Sequence, residues 1–241
     1  MTETWVSTLA QGKAELERAS TAQKVADMLR ERVLDGELAP GLRLSEEAIG
    51  GALGVSRNTL REAFRLLTRD RLLVHEHSRG VFVRSPTGDD VRDLYAARRV
   101  IECGALAKWP DVDDVRRNAV RMPIEEATAH GTRKDWAKVG AANIRFHRGI
   151  VGLAGSHRLS EESDRLFAEL MLAFRVVSDP ERLHMSYLPL NREIVELLNS
   201  GDVGGAIGKL RAYFDLAEAD LVEQLAQAQA GVGAAAVLRE C

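Results

Sequence analysis

Cysteine is almost missing from this 241-residue chain, which holds two, Cys103 and the terminal Cys241. So few thiols exclude a disulfide framework and fit a reducing compartment. Long hydrophobic runs are missing too: no stretch approaches the ~20 apolar residues of a membrane-spanning helix. The opening MTETWVSTLAQGKAELERAS lacks the basic region and apolar stretch of a secretory signal, so a cytoplasmic protein without a membrane partner is expected. Charge of one sign is not in excess. A net charge of −3 neither indicates nor excludes nucleic acid, because a local basic surface can sit within a neutral total. No internal repeat is evident. What is present is 45% hydrophobic and 29% charged residues, the balance of a globular protein long enough for one large domain or two modest ones.

Nearly all of the chain reads as helix, with apolar residues at a period of 3.6. The exception is LLVHEHSRGVFVRSP, where Leu73, Val81 and Val83 flank a polar centre with Gly80, and Pro86 ends the pattern. That is a β-hairpin signature. The segment SPTGDD, from Ser85 to Asp90, combines Pro, Gly and two acids ahead of a long helix, and marks the domain boundary.

Three helical stretches precede the hairpin. The first, about Thr21 to Leu34, is expected to bury Val25, Met28, Leu29 and Val33, and stops at DGELAPG. The second opens at Ser45, an N-cap followed by Glu46 and Glu47, whose charges suit a helix N-terminus. It ends at Gly54. After the turn GVS comes SRNTLREAFRLLTRDRLL, with Leu60, Phe64 and Leu67 as its buried stripe. Two short helices, a Gly-containing turn and a hairpin make a winged helix-turn-helix. Arg57, Arg61, Arg65 and Arg69 recur every four residues on the third helix. Alone, such a ridge is a solvated helix face; beside the turn and the wing it reads as a DNA-binding surface. Ser56, Arg57, Asn58 and Thr59 open this helix, and these residue types bond phosphates and base edges. The helix N-terminus itself attracts phosphate.

The stretch PGLRLSEEAIGGALGVSRNTLREAFRLLTRDRLL, with the later SRGVFV, resembles the DNA-binding domain of the GntR family of bacterial transcription regulators, over about Thr21 to Arg84. The resemblance implies a homodimer on palindromic double-stranded operator DNA, with recognition helices in the major groove and wings toward the minor groove. Carried over by position, Ser56, Arg57, Asn58, Thr59 and Arg61 contact DNA, Arg43 meets phosphate, and Arg79 with Gly80 forms the wing tip. Many relatives place Arg or Lys where this chain has Glu47. Gly50-Gly51 replaces a helix-forming pair, at about 1 kcal/mol per Gly relative to Ala. His75 and His77 read as solvated wing residues, since a two-residue spacing on a strand without a third partner is a poor metal signal.

From Asp89 onward the pattern gives six or seven helices, an all-α bundle, the count depending on how Pro123 and Pro180 break the chain. Polar residues interrupt its apolar stripes. Arg98 fills a gap among Leu94, Ile101 and Ala105. A guanidinium facing a core needs a partner, and both Glu102, one turn on, and a bound carboxylate are candidates. Asn143 interrupts Val139, Phe146, Ile150 and Leu153, with His147 at the margin. Asn191 shares a face with Tyr187, Ile194 and Leu198 in a helix from about Leu188. Tyr213 shares one with Ala206, Leu210 and Ala217. One such residue is ordinarily a satisfied core group. Several together point to a polar cavity, the usual ligand site in a helical bundle.

DLYAARRVIECGALAKW, NIRFHRGIVGLAG and LNREIVELLNSGDVGGAIGKLRAYF resemble the FCD-type ligand domain of the FadR-like branch of GntR regulators, over about Asp90 to Leu225. The resemblance implies an Asp-x-x-x-His pair and two further histidines on a divalent metal, and an Arg on the first helix gripping an organic acid. Here Arg98 matches the Arg and His147 the first His. Asn143 replaces the Asp, Asn191 the second His and Tyr213 the third. One imidazole with two amides and a phenol offers no anionic group to offset a dication, and Zn²⁺ prefers Cys, His or carboxylate. No cofactor is therefore expected; a weakly held metal would rest on His147, with His157 or His184. The expected effector site is Arg98, Asn143, His147, Asn191 and Tyr213, acting directly on the ligand.

The whole reads as mainly α: an N-terminal arm over residues 1–18, a winged helix-turn-helix over 19–85, an all-α effector-binding and dimerisation domain over 86–228, and a flexible tail over 229–241. The expected function is a ligand-responsive, homodimeric transcription regulator, a repressor and not an enzyme, whose effector respaces the recognition helices. Two alternatives stand beside it. A metal-dependent sensor keeps the DNA-binding half. An enzyme in the helical half would use His147 and Tyr213 for acid–base work, but no nucleophile motif, phosphate loop or paired carboxylates accompany them.

Overall fold

The computed structural model describes the backbone of residues 13–176 and 180–237, and side chains over 21–176 and 186–228. The chain divides into two compact units, Met1–Ser85 and Pro86–Cys241. Among the described residues no helix is long and apolar enough to cross a membrane.

The first unit runs α1 (Lys13–Leu34), β1 (Arg43–Leu44), α2 (Glu46–Leu53), α3 (Arg57–Arg69), β2 (Leu73–Glu76) and β3 (Gly80–Val83). Helix α1 begins before the expected Thr21, so residues 13–18 of the supposed arm are helical; its first twelve residues lie outside the described part. The buried stripe of α1 is Ala22, Val25, Ala26, Leu29 and Val33. Met28, expected in it, is 43% exposed. At about 100° per residue, Met28 falls outside the arc that runs from Val25 through Leu29 to Ala26. Ser45 caps α2 by accepting the Ala48 N–H, and Gly54 ends it at φ 63°, a left-handed turn that glycine adopts without strain. Ser56 then caps α3, which buries Leu60, Ala63, Phe64 and Leu67.

The expected hairpin is β2–β3, with Leu73 opposite Val83 and Glu76 opposite Gly80. A third strand joins it: β1 pairs with β3, Arg43 opposite Phe82 and Leu44 opposite Val81, giving the order β1-β3-β2. Two residues are too short a run to show a period of two. Leu44, Leu73, Val81 and Val83 face the core.

The second unit holds six α-helices among the described residues: α4 (Gly88–Leu106), α5 (Asp114–Gly131), α6 (Trp136–Gly152), α7 (His157–Phe174), α8 (Pro180–Asn199) and α9 (Val203–Val237). A 3₁₀ turn at Trp109–Asp111 follows α4. Thr87 and Asp90 form a capping box at the start of α4, fixing where the bundle begins. Pro180 opens α8, where its fixed φ suits a first turn, so this helix starts earlier than Leu188. Helix α9 continues through Val237, past the point where a flexible tail was expected; residues 238–241 lie outside the described part.

Pro123 sits inside α5 without ending it. Lacking an N–H, it returns no hydrogen bond to the Ala119 carbonyl one turn earlier. That carbonyl faces Gly149 of α6, where an added Cβ would lie 2.3 Å from the oxygen. The Pro in one helix and the Gly in the other thus let the two backbones meet. The core around them is continuous, from Val91 and Tyr95 of α4 through Phe146, Ile150 and Phe167 to Phe214 and Leu221 of α9.

Candidate functional site

On the first unit, α3 presents the residues read as DNA-facing. Ser56, Arg57 and Asn58 are exposed at its N-terminus, and Arg61 follows one turn on. Thr59 does not join them. It is 7% exposed, and its hydroxyl is bonded to Ser56 Oγ at 2.8 Å, so it serves the cap and is withdrawn from the contact set. In the wing, Ser78 and Gly80 take φ of 61° and 112°. Arg79 is ion-paired with Glu76, and its guanidinium lies 5.5 Å from the Phe82 ring centroid. Arg43 of β1 stacks beside the wing: a Cβ on Gly80 would be 3.4 Å from Arg43 Nε. Arg43 and the wing tip therefore form one exposed basic edge. The extra strand β1 puts them together.

In the second unit all five residues assigned to the effector site are buried: Arg98 and Asn191 are 1% exposed and His147 is 0%. Helix α4 supplies Arg98, α6 supplies Asn143 and His147, α8 supplies Asn191, and α9 supplies Tyr213. Glu102, one turn after Arg98, is the centre that sequence reasoning gave too small a part. Arg98 Nε donates to Glu102 Oε1 at 2.7 Å, and His147 Nδ1 lies 2.6 Å from Glu102 Oε2. The other face of the imidazole meets Tyr213, with Nε2 3.2 Å from the hydroxyl. Asn191 Nδ2 donates to Asn143 Oδ1 at 2.6 Å. The i,i+4 spacing of Arg98 and Glu102 was visible in the sequence; the bridge to His147, across 45 positions, was not.

Glu102 takes up only part of the Arg98 guanidinium. Its Nε is satisfied by Glu102, but Nη1 and Nη2 have no hydrogen-bond partner among the described residues. The guanidinium instead stacks among rings, 4.7 Å from the Phe214 centroid, 4.9 Å from Tyr95 and 5.6 Å from Phe167. Such rings stabilise a cation without using its N–H groups. Asn191 Oδ1 likewise has no partner among the described residues. It lines a cavity of about 10 Å³ with Asn143, Tyr187 and Leu188, far below the roughly 300 Å³ at which small-molecule pockets begin. Among the described residues the expected cavity is thus a polar seam closed on itself.

Charge states follow from these contacts. Burial works to raise the Glu102 carboxyl, but Arg98 and His147 outweigh it and hold it below its ordinary value of 4.5. His147 is held below its ordinary 6.5, first by burial and then by Arg98, with Glu102 opposing. Burial raises the Tyr213 hydroxyl against the pull of Arg98 and Asn143. A neutral imidazole beside an ionised, acceptor-only carboxylate must donate from Nδ1. Nε2 then accepts the Tyr213 proton.

This donor set fits a divalent metal poorly. The carboxylate absent from the sequence reading is present in Glu102, but its charge is spent on Arg98. The imidazole nitrogen a metal would need, Nε2, is taken by Tyr213. Among the described residues no three His, Cys, Asp or Glu side chains gather. His157, named as a helper, is exposed and beside Glu161 at the start of α7. The His184 side chain lies outside the described residues.

Comparison with known proteins matches both units. The family model for bacterial regulatory proteins of the gntR family fits residues 21–83, and that for the FCD domain fits residues 93–216. A structure of a GntR transcriptional regulator from Rhodococcus sp. RHA1 superposes with a TM-score of 0.78 at 40% identity, covering 85% of this chain and 98% of that one. The transcriptional repressor RspR of Escherichia coli (strain K12) is 33% identical over 173 residues, 70% of this chain and 76% of that one. The gluconate operon transcriptional repressor of Bacillus licheniformis is 34% identical over 138 residues, 56% of each.

Proposed function

This chain belongs to the gntR family of bacterial regulatory proteins and carries an FCD domain, and from that premise we propose that it is a cytoplasmic repressor released from its operator by a small organic acid. The observation that carries the effector reading is Arg98, fully buried with both Nη groups unpartnered among the described residues. A carboxylate offers two oxygens in the geometry of that fork. Asn143, His147, Asn191 and Tyr213 then bond the rest of the ligand. The site works without a metal and without catalysis.

On the DNA side, Arg43, Ser56, Arg57, Asn58, Arg61, Arg79 and Gly80 form the contact set. Binding as a homodimer to a palindrome is supported by the helix-turn-helix architecture, whose dimers bind two half-sites. The sign of regulation is supported by relatives named as repressors. Effector and operator then oppose one another through a coupling free energy that is the same in both directions.

Three measurements test this. A gel-shift at stated salt against the promoter of its own operon should give sequence-selective retardation, and none would overturn the reading. Arg57→Ala should weaken operator binding and relax base preference, since a bidentate contact discriminates by ~1–3 kcal/mol; wild-type binding by that variant removes Arg57 from the interface. Elemental analysis of protein purified without added metal should find none; one tightly bound equivalent would favour a metal-dependent sensor.

A further inference from the structure

The four arginines of α3 differ in how they are held. Arg61 Nε donates to Glu46, 3.0 Å from Oε2 and 3.4 Å from Oε1, so one N–H straddles both oxygens of a carboxylate on α2. No contact engages either Nη of Arg61 among the described residues. Arg65 is held the other way, through Nη1, 3.0 Å from Glu62 on its own helix. Arg57 and Arg69 have no carboxylate partner among the described residues. End-on reading of guanine uses Nη1 and Nη2 together, as a fork on O6 and N7. A brace at Nε fixes the plane of the guanidinium and leaves the fork whole. A brace at Nη1 spends one prong.

Glu46 is itself well placed. It follows the capping Ser45 directly, and Leu44, two residues earlier, is 5% exposed and paired into the sheet. The pair is exposed, with side chains 60% and 33% accessible, so it adds little to stability. A carboxylate near DNA also opposes binding, because affinity comes chiefly from neutralised phosphates. Neither stability nor affinity accounts for it. We infer that Glu46 is a specificity-determining positioning residue, which presents Arg61 to a guanine while Arg65 is left to approach the backbone. The inference rests on the DNA-binding reading of α3.

The test uses full-length wild type, Glu46→Ala, Glu46→Gln, Arg61→Ala and the Glu46→Ala/Arg61→Ala double variant. Each selects sites from random duplex DNA at one salt concentration, and dissociation constants are then measured on the selected site, its single-base variants and a scrambled duplex. Glu46→Ala should lose about tenfold of the preference for guanine at the same position in each half-site that Arg61→Ala loses. The double variant should lose no more there. Glu46→Gln keeps an oxygen for Nε and should keep most of the preference. Both Glu46 variants should bind the scrambled duplex more tightly, having shed a negative charge. Preference thus follows the acceptor and non-specific affinity follows the charge, a split that a merely structural Glu46 would not produce. Retained guanine preference in Glu46→Ala overturns the inference, as does an even loss at every position. Wild type selecting no motif overturns the regulator reading instead.

Discussion

Glu102 serves two buried groups at once, Arg98 and His147. Truncating one member of a buried, hydrogen-bonded ion pair strands the other, at about 3–5 kcal/mol. Glu102→Gln should therefore lower the stability of this unit by that order in urea titration, while Arg98→Met with Glu102→Gln should recover much of it. A double variant as unstable as the single one would mean that the charge pair is not the cause. The pH dependence has a definite sign. His147 and Glu102 both have folded-state pKa values below their ordinary 6.5 and 4.5, so the unfolded chain binds more protons as pH falls through those values. Their contribution is complete above about pH 6.5 and is lost first through His147, then below about 4.5 through Glu102 as well. His147→Phe should abolish the first phase of that loss.

At the scale of elements, the short helices of the first unit were legible because each end carries its own chemistry. Ser45, Gly54 and Ser56 fix three boundaries without any distant contact. Ser56→Ala should cost about 1 kcal/mol, measured by thermal melting. The inward stripes of α4, α6, α8 and α9 were equally readable, and with them the five buried polar positions. What could not be read was pairing. Strand β1 exists only because β3 is there to receive it. Glu102 looked like a partner for Arg98 alone, since nothing local signals an imidazole on another helix. Pro123 suggested a break, yet α5 passes through it because its unbonded carbonyl has Gly149 to lie against. Gly149→Ala should cost about 1–3 kcal/mol as overpacking. A variant as stable as wild type in the same melt would show that α5 and α6 can separate freely.

Across the whole molecule, each unit has its own core, with the large cluster confined to residues beyond Ser85. His147 is buried in the second unit, whereas the wing histidines His75 and His77 are exposed, and the buried carboxylate of the first unit, Asp70, is paired with Arg30. Mild acid should therefore shift the unfolding of the helical unit and leave that of the DNA-binding unit nearly unmoved. Scanning calorimetry at pH 7 and pH 5.5 checks this, and a common shift of both transitions would show that the two unfold as one. The contact between Gly149 and Ala119 has a genetic counterpart. Helix α6 carries Asn143 and His147 shortly before Gly149, so a side chain there would move them against α4 and α9 without touching a ligand. In a screen for variants that stay on the operator in the presence of inducer, substitutions should appear at Gly149 and Pro123 as well as at Arg98.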